Sequence, residues 1–237
     1  MYLSYKNTNL NISLYKNKAI VKNNKIFREI FGIVVGERSK IEKEIAKNLL
    51  FKYSLEPIES NNEINDIPEV IKKNLYAARC ANVGPMASVA GAIAEILCEK
   101  LIDKFDAGII ENGGDIALFG DRDFKVKIHA GNSVFSNKFF ISLNPAKLFP
   151  NKILGICTSS SSVGPSMSFG DSDATTIISN GPAIADAFAT SLGNLVKNEK
   201  ESIEEVIEYA KKFNEIYGIC IIAKDKIGMW NVRLEKI

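Results

Sequence analysis

The sequence is poor in the residues that build most metal and redox centres. It has a single histidine, His129, and a single tryptophan. One histidine excludes a histidine-rich metal site. His129 falls within FKVKIHAG, a strand pattern, where it reads as a structural residue. The four cysteines, Cys80, Cys98, Cys157 and Cys220, are scattered and form no CxxC pair. That argues against a zinc site or a dithiol redox motif and fits free thiols in a reducing compartment. No apolar run is long enough to cross a bilayer. The opening MYLSYKNTNL lacks the apolar centre of a signal peptide. A cytoplasmic protein with no membrane partner is therefore expected. An excess of one charge is missing too. Lys and Arg number 30 against 28 Asp and Glu, a net charge of +2. This gives no electrostatic case for a nucleic-acid partner.

What remains is an ordinary globular composition. The 237 residues are 46% apolar and 24% charged, enough to bury a substantial core. Leu10, Ile12 and Leu14 alternate with polar residues and predict a strand. Residues 17–37 can be read as strand or buried helix. Ser39 and Glu42 have capping-box spacing, and Ile41, Ile45, Leu49 and Tyr53 follow as one apolar helix face. Residues 55–68 form a polar, proline-bounded surface loop. Val70–Cys80 reads as helix. Strand patterns cover 107–112, 115–120, 124–130, 139–144, 153–157 and 174–179. Lys197–Phe213 is an amphipathic helix, 217–222 a buried strand, and 225–237 a turn with an edge strand. Strands and helices mix without strict βαβ alternation, so the expected class is α+β with a mixed sheet.

Three stretches depart from this plain pattern. In the first, the turn Asn82–Pro85 opens the helix MASVAGAIAEILCEKLIDKF. Small residues, Ala87, Ala90, Gly91 and Ala94, crowd its start. Close helix packing explains that, and so does a ligand at a helix N-terminus, where unpaired N–H groups attract anions. In the second, Gly113–Gly114 separates two strands and is flanked by Glu111, Asn112 and Asp115. It suits a tight hairpin or a close backbone approach. In the third, a strand ends in Cys157 and then Thr158, Ser159, Ser160, Ser161 and Ser162. Gly164, Ser166, Ser168 and Gly170 follow. Hydroxyls and flexible backbone at a strand end can cradle phosphates. The same stretch runs into SNGPAIADAFATSLGN, a turn with Pro182 at the first helical position. Asp186 and Thr190 are four apart and share one helix face, with Ala183 and Ala187 beside it. Two tightly packed helices would produce such a face, and so would a helix that approaches a metal or ligand.

These stretches occur in a fixed order that resembles the ApbE superfamily, the FAD:protein FMN transferases. In that family a segment of the type DLGGIAKGYA precedes a GGD strand turn, a T-S-G segment and a helix reading A-D-A-x-A-T. Here GGD is Gly113–Gly114–Asp115, T-S is Thr158–Ser159, and ADAFAT is Ala185–Thr190. The pattern VGPMA, ENGGD, CTSS, ADA is most similar to an uncharacterised soluble branch. The resemblance is strong over 80–197 and looser before that. It implies one ApbE-like, T-fold-like domain over 1–237, with small-residue helices packed on the sheet.

The resemblance also implies chemistry. Family members use a divalent cation, normally Mg²⁺, to cleave FAD and pass FMN to a protein hydroxyl. Carried over, Asp186 and Thr190 are the catalytic pair and hold the metal together with the Ala87 carbonyl. Mg²⁺ prefers oxygen ligands of this kind. The flavin nucleotide, FAD or FMN, would lie against Gly84, Met86 and Ser88, against Asn112, Gly113, Gly114 and Asp115, and against Thr158, Ser159 and Ser160. A nucleotide ligand and an acceptor protein are the implied partners, and a homo-oligomer is compatible. The chain departs from the family in two places. Ser88 or Ala90 stands where the family has a Lys, and Ser166–Gly170 stands where it has HxxDP. Two alternatives follow: flavin or nucleotide binding without turnover, and a sulfur-assimilation role in which Cys157 carries sulfur.

Overall fold

The computed structural model describes residues 1–59, 66–150, 153–162 and 169–237. The expected Gly164, Ser166 and Ser168 of the third stretch lie outside the described residues. Strands β1 (Tyr2–Tyr5), β2 (Thr8–Lys16) and β3 (Ala19–Ile20) come first. Helices α1 (Asn24–Lys47), α2 (Leu50–Tyr53) and α3 (Glu69–Ala81) follow. A 3₁₀ turn, Pro85–Ser88, leads into α4 (Val89–Leu101). Strands β4 (Ala107–Asn112), β5 (Asp115–Gly120), β6 (Phe124–Lys127) and β7 (Phe139–Leu143) come next, then the short α5 (Pro145–Leu148). The chain ends with β8 (Leu154–Ser159), β9 (Ala174–Ser179), α6 (Pro182–Leu195), α7 (Lys200–Ala210), β10 (Ile216–Ala223), β11 (Lys226–Trp230) and β12 (Leu234–Lys236).

The large sheet runs β1-β2-β4-β5-β8-β9-β10-β11, with β3 added to β2. A second sheet, β12-β7-β6, stands apart from it. The class is α+β. The pairings described are all antiparallel, not mixed. The short turns of the β4–β5 and β10–β11 hairpins leave their strands no other choice.

Alternation along the strands sorts the core into two layers. Leu10, Ile12, Leu14, Ile110, Ala117, Phe119, Cys157, Ile177, Ile219 and Ile221 pack with the helices. Ile116, Leu118, Leu154, Ile156, Ile178, Cys220 and Ile222 pack with Val126, Ile141 and Leu143 of the small sheet. The large sheet is therefore covered on both faces, by helices on one and by the small sheet on the other.

The open region 17–37 resolves as a strand end and a helix. Asn23 caps α1 by accepting the Lys25 N–H at 2.8 Å. Ile30, Val34, Glu37, Ile41 and Glu44 form one buried stripe along it. The Ser39–Glu42 capping box is thus a misreading: both residues lie inside α1, because helical periodicity continues straight through them. The expected apolar face also ends early. Ile41 is buried, whereas Leu49 and Tyr53 lie beyond the end of α1 and are exposed.

Candidate active site

The β4–β5 hairpin has two loop residues, with Asn112 paired to Asp115 across it. Gly113 and Gly114 both have positive φ, +67° and +113°, as a primed hairpin turn demands. A Cβ on Gly113 would meet nothing within 4 Å. Backbone conformation requires glycine there, and the space above the turn is open. One residue on, Asp115 starts β5. Its side chain falls on the same face as Ala117 and Phe119, the face that meets the helices.

Strand β8 lies beside β5, with Ile116 opposite Ile156. Continuing the register sets Asp115 beside Cys157 and Gly114 beside Thr158. The Thr158 N–H and the Cys157 thiol stand beside the Asp115 carboxyl and hold its pKa down. Asp115 Oδ1 is nevertheless buried without a partner.

Asp186 reaches the same place from α6. It is buried, and its Oδ2 accepts the Gly91 N–H at 2.8 Å. The Ala90 N–H faces the same carboxyl and, like that of Gly91, lowers its pKa. These donors belong to the first turn of α4, which has no intrahelical acceptor for them. The anion that meets this helix N-terminus is therefore Asp186 itself. Asn112 Nδ2 donates to the Ala90 carbonyl at 3.1 Å and ties the hairpin to the same turn. Gly91 allows the contact. A Cβ there would stand 2.4 Å from the Pro182 carbonyl oxygen and 2.9 Å from Asp186 Cβ.

Burial governs the electrostatics. It pushes the Asp115 carboxyl up to about 7, against the lowering effect of the Thr158 N–H and the Cys157 thiol. Burial also raises Asp186 well above the usual carboxylate range, and the neighbouring Asp115 charge adds to the rise. Two acids this close cannot both ionise cheaply without a counter-charge.

The structure thus brings together Asn112, Gly114, Asp115, Asp186 and the backbone of Thr158. Other expected residues lie differently. Thr158 continues the side of Leu154 and Ile156, and its Oγ1 sits 2.9 Å from Thr176 Oγ1, so the hydroxyl faces away from the helices. Ser159 is half-buried at the end of β8. Ser160 Oγ accepts the Ser162 N–H at 3.1 Å within its own loop. Ser88 is buried and donates toward Asn74 Oδ1 and the Pro85 carbonyl. Gly84 is needed where the chain passes Ser54, whose carbonyl oxygen would be 1.8 Å from a Cβ. Met86 packs on the helix-side core. Ala87 is half-buried in the 3₁₀ turn, its N–H given to the Gly84 carbonyl. Thr190 is half-buried one turn after Asp186. Among the described residues no three His, Cys, Asp or Glu side chains gather as a metal cluster.

Cys157 lacks the character of a sulfur carrier. It is fully buried and its thiol donates to the Pro182 carbonyl at 3.4 Å. Burial, with Asp115 and Asp186 beside it, raises its pKa well above the usual thiol value. The thiolate that sulfur chemistry needs is therefore disfavoured.

Sequence reasoning missed Glu95. It stands alone in the apolar run VAGAIAEILC, and that isolation was the available signal. Its Oε2 accepts the Ala183 N–H at 3.0 Å, and its Oε1 takes Lys73 Nζ at 2.6 Å. A cavity of about 290 Å³ opens at this end of α6, lined by Lys72, Lys73, Tyr76, Glu95, Asn180 and Ile184 among others.

A family model described as AbpE bacteria matches residues 1–213. The chain belongs to this family. Its relatives include a UPF0280 protein of Methanocaldococcus jannaschii, 38% identical over 226 residues, covering 91% of this chain and 90% of the relative. One from Methanobrevibacter smithii is 34% identical, covering 95% and 92%. Among solved structures, the flavin transferase ApbE from Vibrio cholerae aligns at TM-score 0.56 and 16% identity, covering 97% of this chain and 96% of that one. The flavinyl transferase ApbE of Pseudomonas stutzeri aligns at TM-score 0.58 and 11% identity, covering 97% and 93%. At such identities these matches establish the shared ApbE fold. Among the described residues no single helix is long and apolar enough to cross a membrane.

Proposed function

We propose that this protein binds a flavin nucleotide, FAD or FMN, with a divalent cation, and transfers FMN to an acceptor protein. The observation that carries this reading is the neighbouring pair of half-buried Asp115 and buried Asp186, with Asp115 Oδ1 itself buried and without a partner. A buried carboxylate oxygen with nothing to accept from is costly. A cation with oxygen preference fits that donor set, and Mg²⁺ is the natural choice. Asp186 and Asp115 would hold it, and the ApbE pattern adds the Thr190 hydroxyl and the Ala87 carbonyl as further protein oxygens. When bound, the cation would neutralise charge on the nucleotide phosphates. The open Gly113–Gly114 turn would let a ligand approach the backbone closely, and Asn112 would hold that turn against α4. The solved flavin transferases of the same fold support the ligand class. We read residues 1–237 as one such unit acting in the cytoplasm.

A second reading, binding without turnover, is favoured by the missing family Lys and HxxDP segment. One experiment separates the two. Wild-type protein, Asp186→Asn and Asp186→Ala are tested for Mg²⁺-dependent FAD binding and for AMP release from FAD. Transferase chemistry predicts both signals in wild type and neither in the two variants. Binding without AMP release selects the second reading. Asparagine can still accept the Gly91 N–H, so Asp186→Asn should keep its melting temperature. Asp186→Ala loses a helix cap and should cost about 1 kcal/mol. FAD binding that ignores both Mg²⁺ and Asp186 would remove the cation site from the reading.

A further inference from the structure

Asp186 and Glu95 serve each other's helix. Asp186, on α6, accepts the Gly91 N–H in the first turn of α4. Glu95, on α4, accepts the Ala183 N–H in the first turn of α6. Ser88 and Gly181 hold the cap positions of the two helices, and neither makes a side-chain cap bond. Each helix start is thus closed by a carboxylate borrowed from the other. Both contacts suit the positive end of a helix dipole.

Glu95 is itself held. Lys73 of α3 reaches Glu95 Oε1 at 2.6 Å and Glu99 Oε1 at 2.8 Å. The Lys73 and Glu95 side chains are only 15% and 13% exposed. Desolvation pulls the Lys73 ammonium down, but Glu95 and Glu99 outweigh it and leave its pKa above the ordinary value.

The two caps act at different points along the same contact. The Pro182 carbonyl lies against Gly91, so the helices touch backbone to backbone. A single polar tie would let α6 slide along α4. Two reciprocal ties fix that slide. Asp186 follows Ala183 by three residues, about 4.5 Å along a stiff helix, so a shift at Ala183 is carried to Asp186. We propose that Glu95, clamped by Lys73, is a positioning residue that sets where the Asp186 carboxylate stands against Asp115. This rests on the reading of Asp186 and Asp115 as the cation site.

The test compares wild type, Glu95→Ala and Glu95→Gln. Amide hydrogen exchange is followed at Gly91 and Ala183 by proton–nitrogen correlation spectra, with Ile177 in the central strand β9 as reference. In Glu95→Ala, Ala183 should exchange faster, and Gly91 should do so by about tenfold relative to Ile177. Glutamine keeps an acceptor for the Ala183 N–H and should restore most of the Gly91 protection. If Gly91 keeps its protection in Glu95→Ala, Glu95 is only a local cap and the proposal is overturned. A variant that merely loses stability speeds Ile177 equally, and that result also overturns it. If Glu95→Ala does not fold, Lys73→Met and Glu95→Gln carry the same comparison, with faster Gly91 exchange expected in Lys73→Met and unchanged exchange counting against the proposal. Mn²⁺ alone is then titrated by the loss of its free paramagnetic signal. Affinity should fall about tenfold in Glu95→Ala and stay within about threefold in Glu95→Gln. Equal affinity in wild type and Glu95→Ala counts against the proposal. Failure of the wild type to bind Mn²⁺ removes the cation reading, and the Gly91 amide still decides the positioning role.

Discussion

Asp115 has one oxygen buried without a partner, and its acidity follows from that. Its folded pKa is raised from 3.8 to about 7 by burial. A raised carboxyl pKa means that the folded state holds its proton more tightly than the unfolded chain does. Stability from this group is therefore greatest below the unfolded pKa and is lost as pH rises toward the folded one. The metal-free protein should show a melting temperature that falls between pH 4 and pH 7, a window set by those two values. Asp115→Asn carries no charge to bury and should flatten the fall. Saturating Mn²⁺ should also offset it, since a ligand of the folded state stabilises by mass action. A slope identical in Asp115→Asn and wild type would place the pH dependence elsewhere. At this scale the sequence was partly legible. Helical spacing picked out Asp186, and the glycine pair marked the turn before Asp115. Sequence spacing carries no information about which backbone N–H a carboxylate will meet, so the bond to Gly91, across 95 residues of chain, was not legible.

Helices α4 and α6 were readable as elements because their small residues admit close packing. The start of α4 was placed within three residues, and Pro182 marked the start of α6 correctly. The capping-box signal failed in α1, where a Ser and a Glu with the right spacing sit within an unbroken helix. A cap is defined by where a helix ends, and the apolar stripe decides that. The contact between α4 and α6 yields a graded pair of outcomes. Gly91→Ala places a Cβ 2.4 Å from a backbone oxygen of α6. Backbone cannot swing aside as a side chain can, so the helices must part, and the bond from Gly91 to Asp186 should break with them. Ala187 is fully buried on α6. Ala187→Leu adds volume without touching that bond and should cost about 1–3 kcal/mol. Chemical denaturation with Mn²⁺ titration reads both: Gly91→Ala should lose stability and affinity together, Ala187→Leu mainly stability. Full Mn²⁺ affinity in Gly91→Ala would mean that the helix contact does not hold the site.

At the scale of the whole molecule, the two faces of the large sheet have separate tasks. Asp115 and Asp186 meet on the helix face, while β6, β7 and β12 cover the other. The strand patterns of 124–130 and 139–144 were legible, but their departure into a second sheet was not, because alternation gives a strand and not its partner. The C-terminal segment was read as one edge strand. It is two: β11 extends the large sheet beside β10, and β12 pairs with β7 in the small one. The last five residues thus bind the small sheet to the chain that closes the large one. Leu234 lies opposite Ile141, and the Ile237 N–H donates to the Lys138 carbonyl at 3.0 Å. Removing residues 233–237 should leave β7 with an unpaired edge and uncover part of the cluster around Ile141. An open edge invites pairing with another copy. The truncated protein should melt lower and aggregate on heating, as light scattering would record. Its Mn²⁺ affinity should stay within about twofold of the full chain at a temperature where both are folded, since distant sites on independent layers contribute additively. An affinity loss much larger than that would show that the small sheet supports the carboxylate pair through the strands between them, and the division of tasks between the two faces would have to be abandoned.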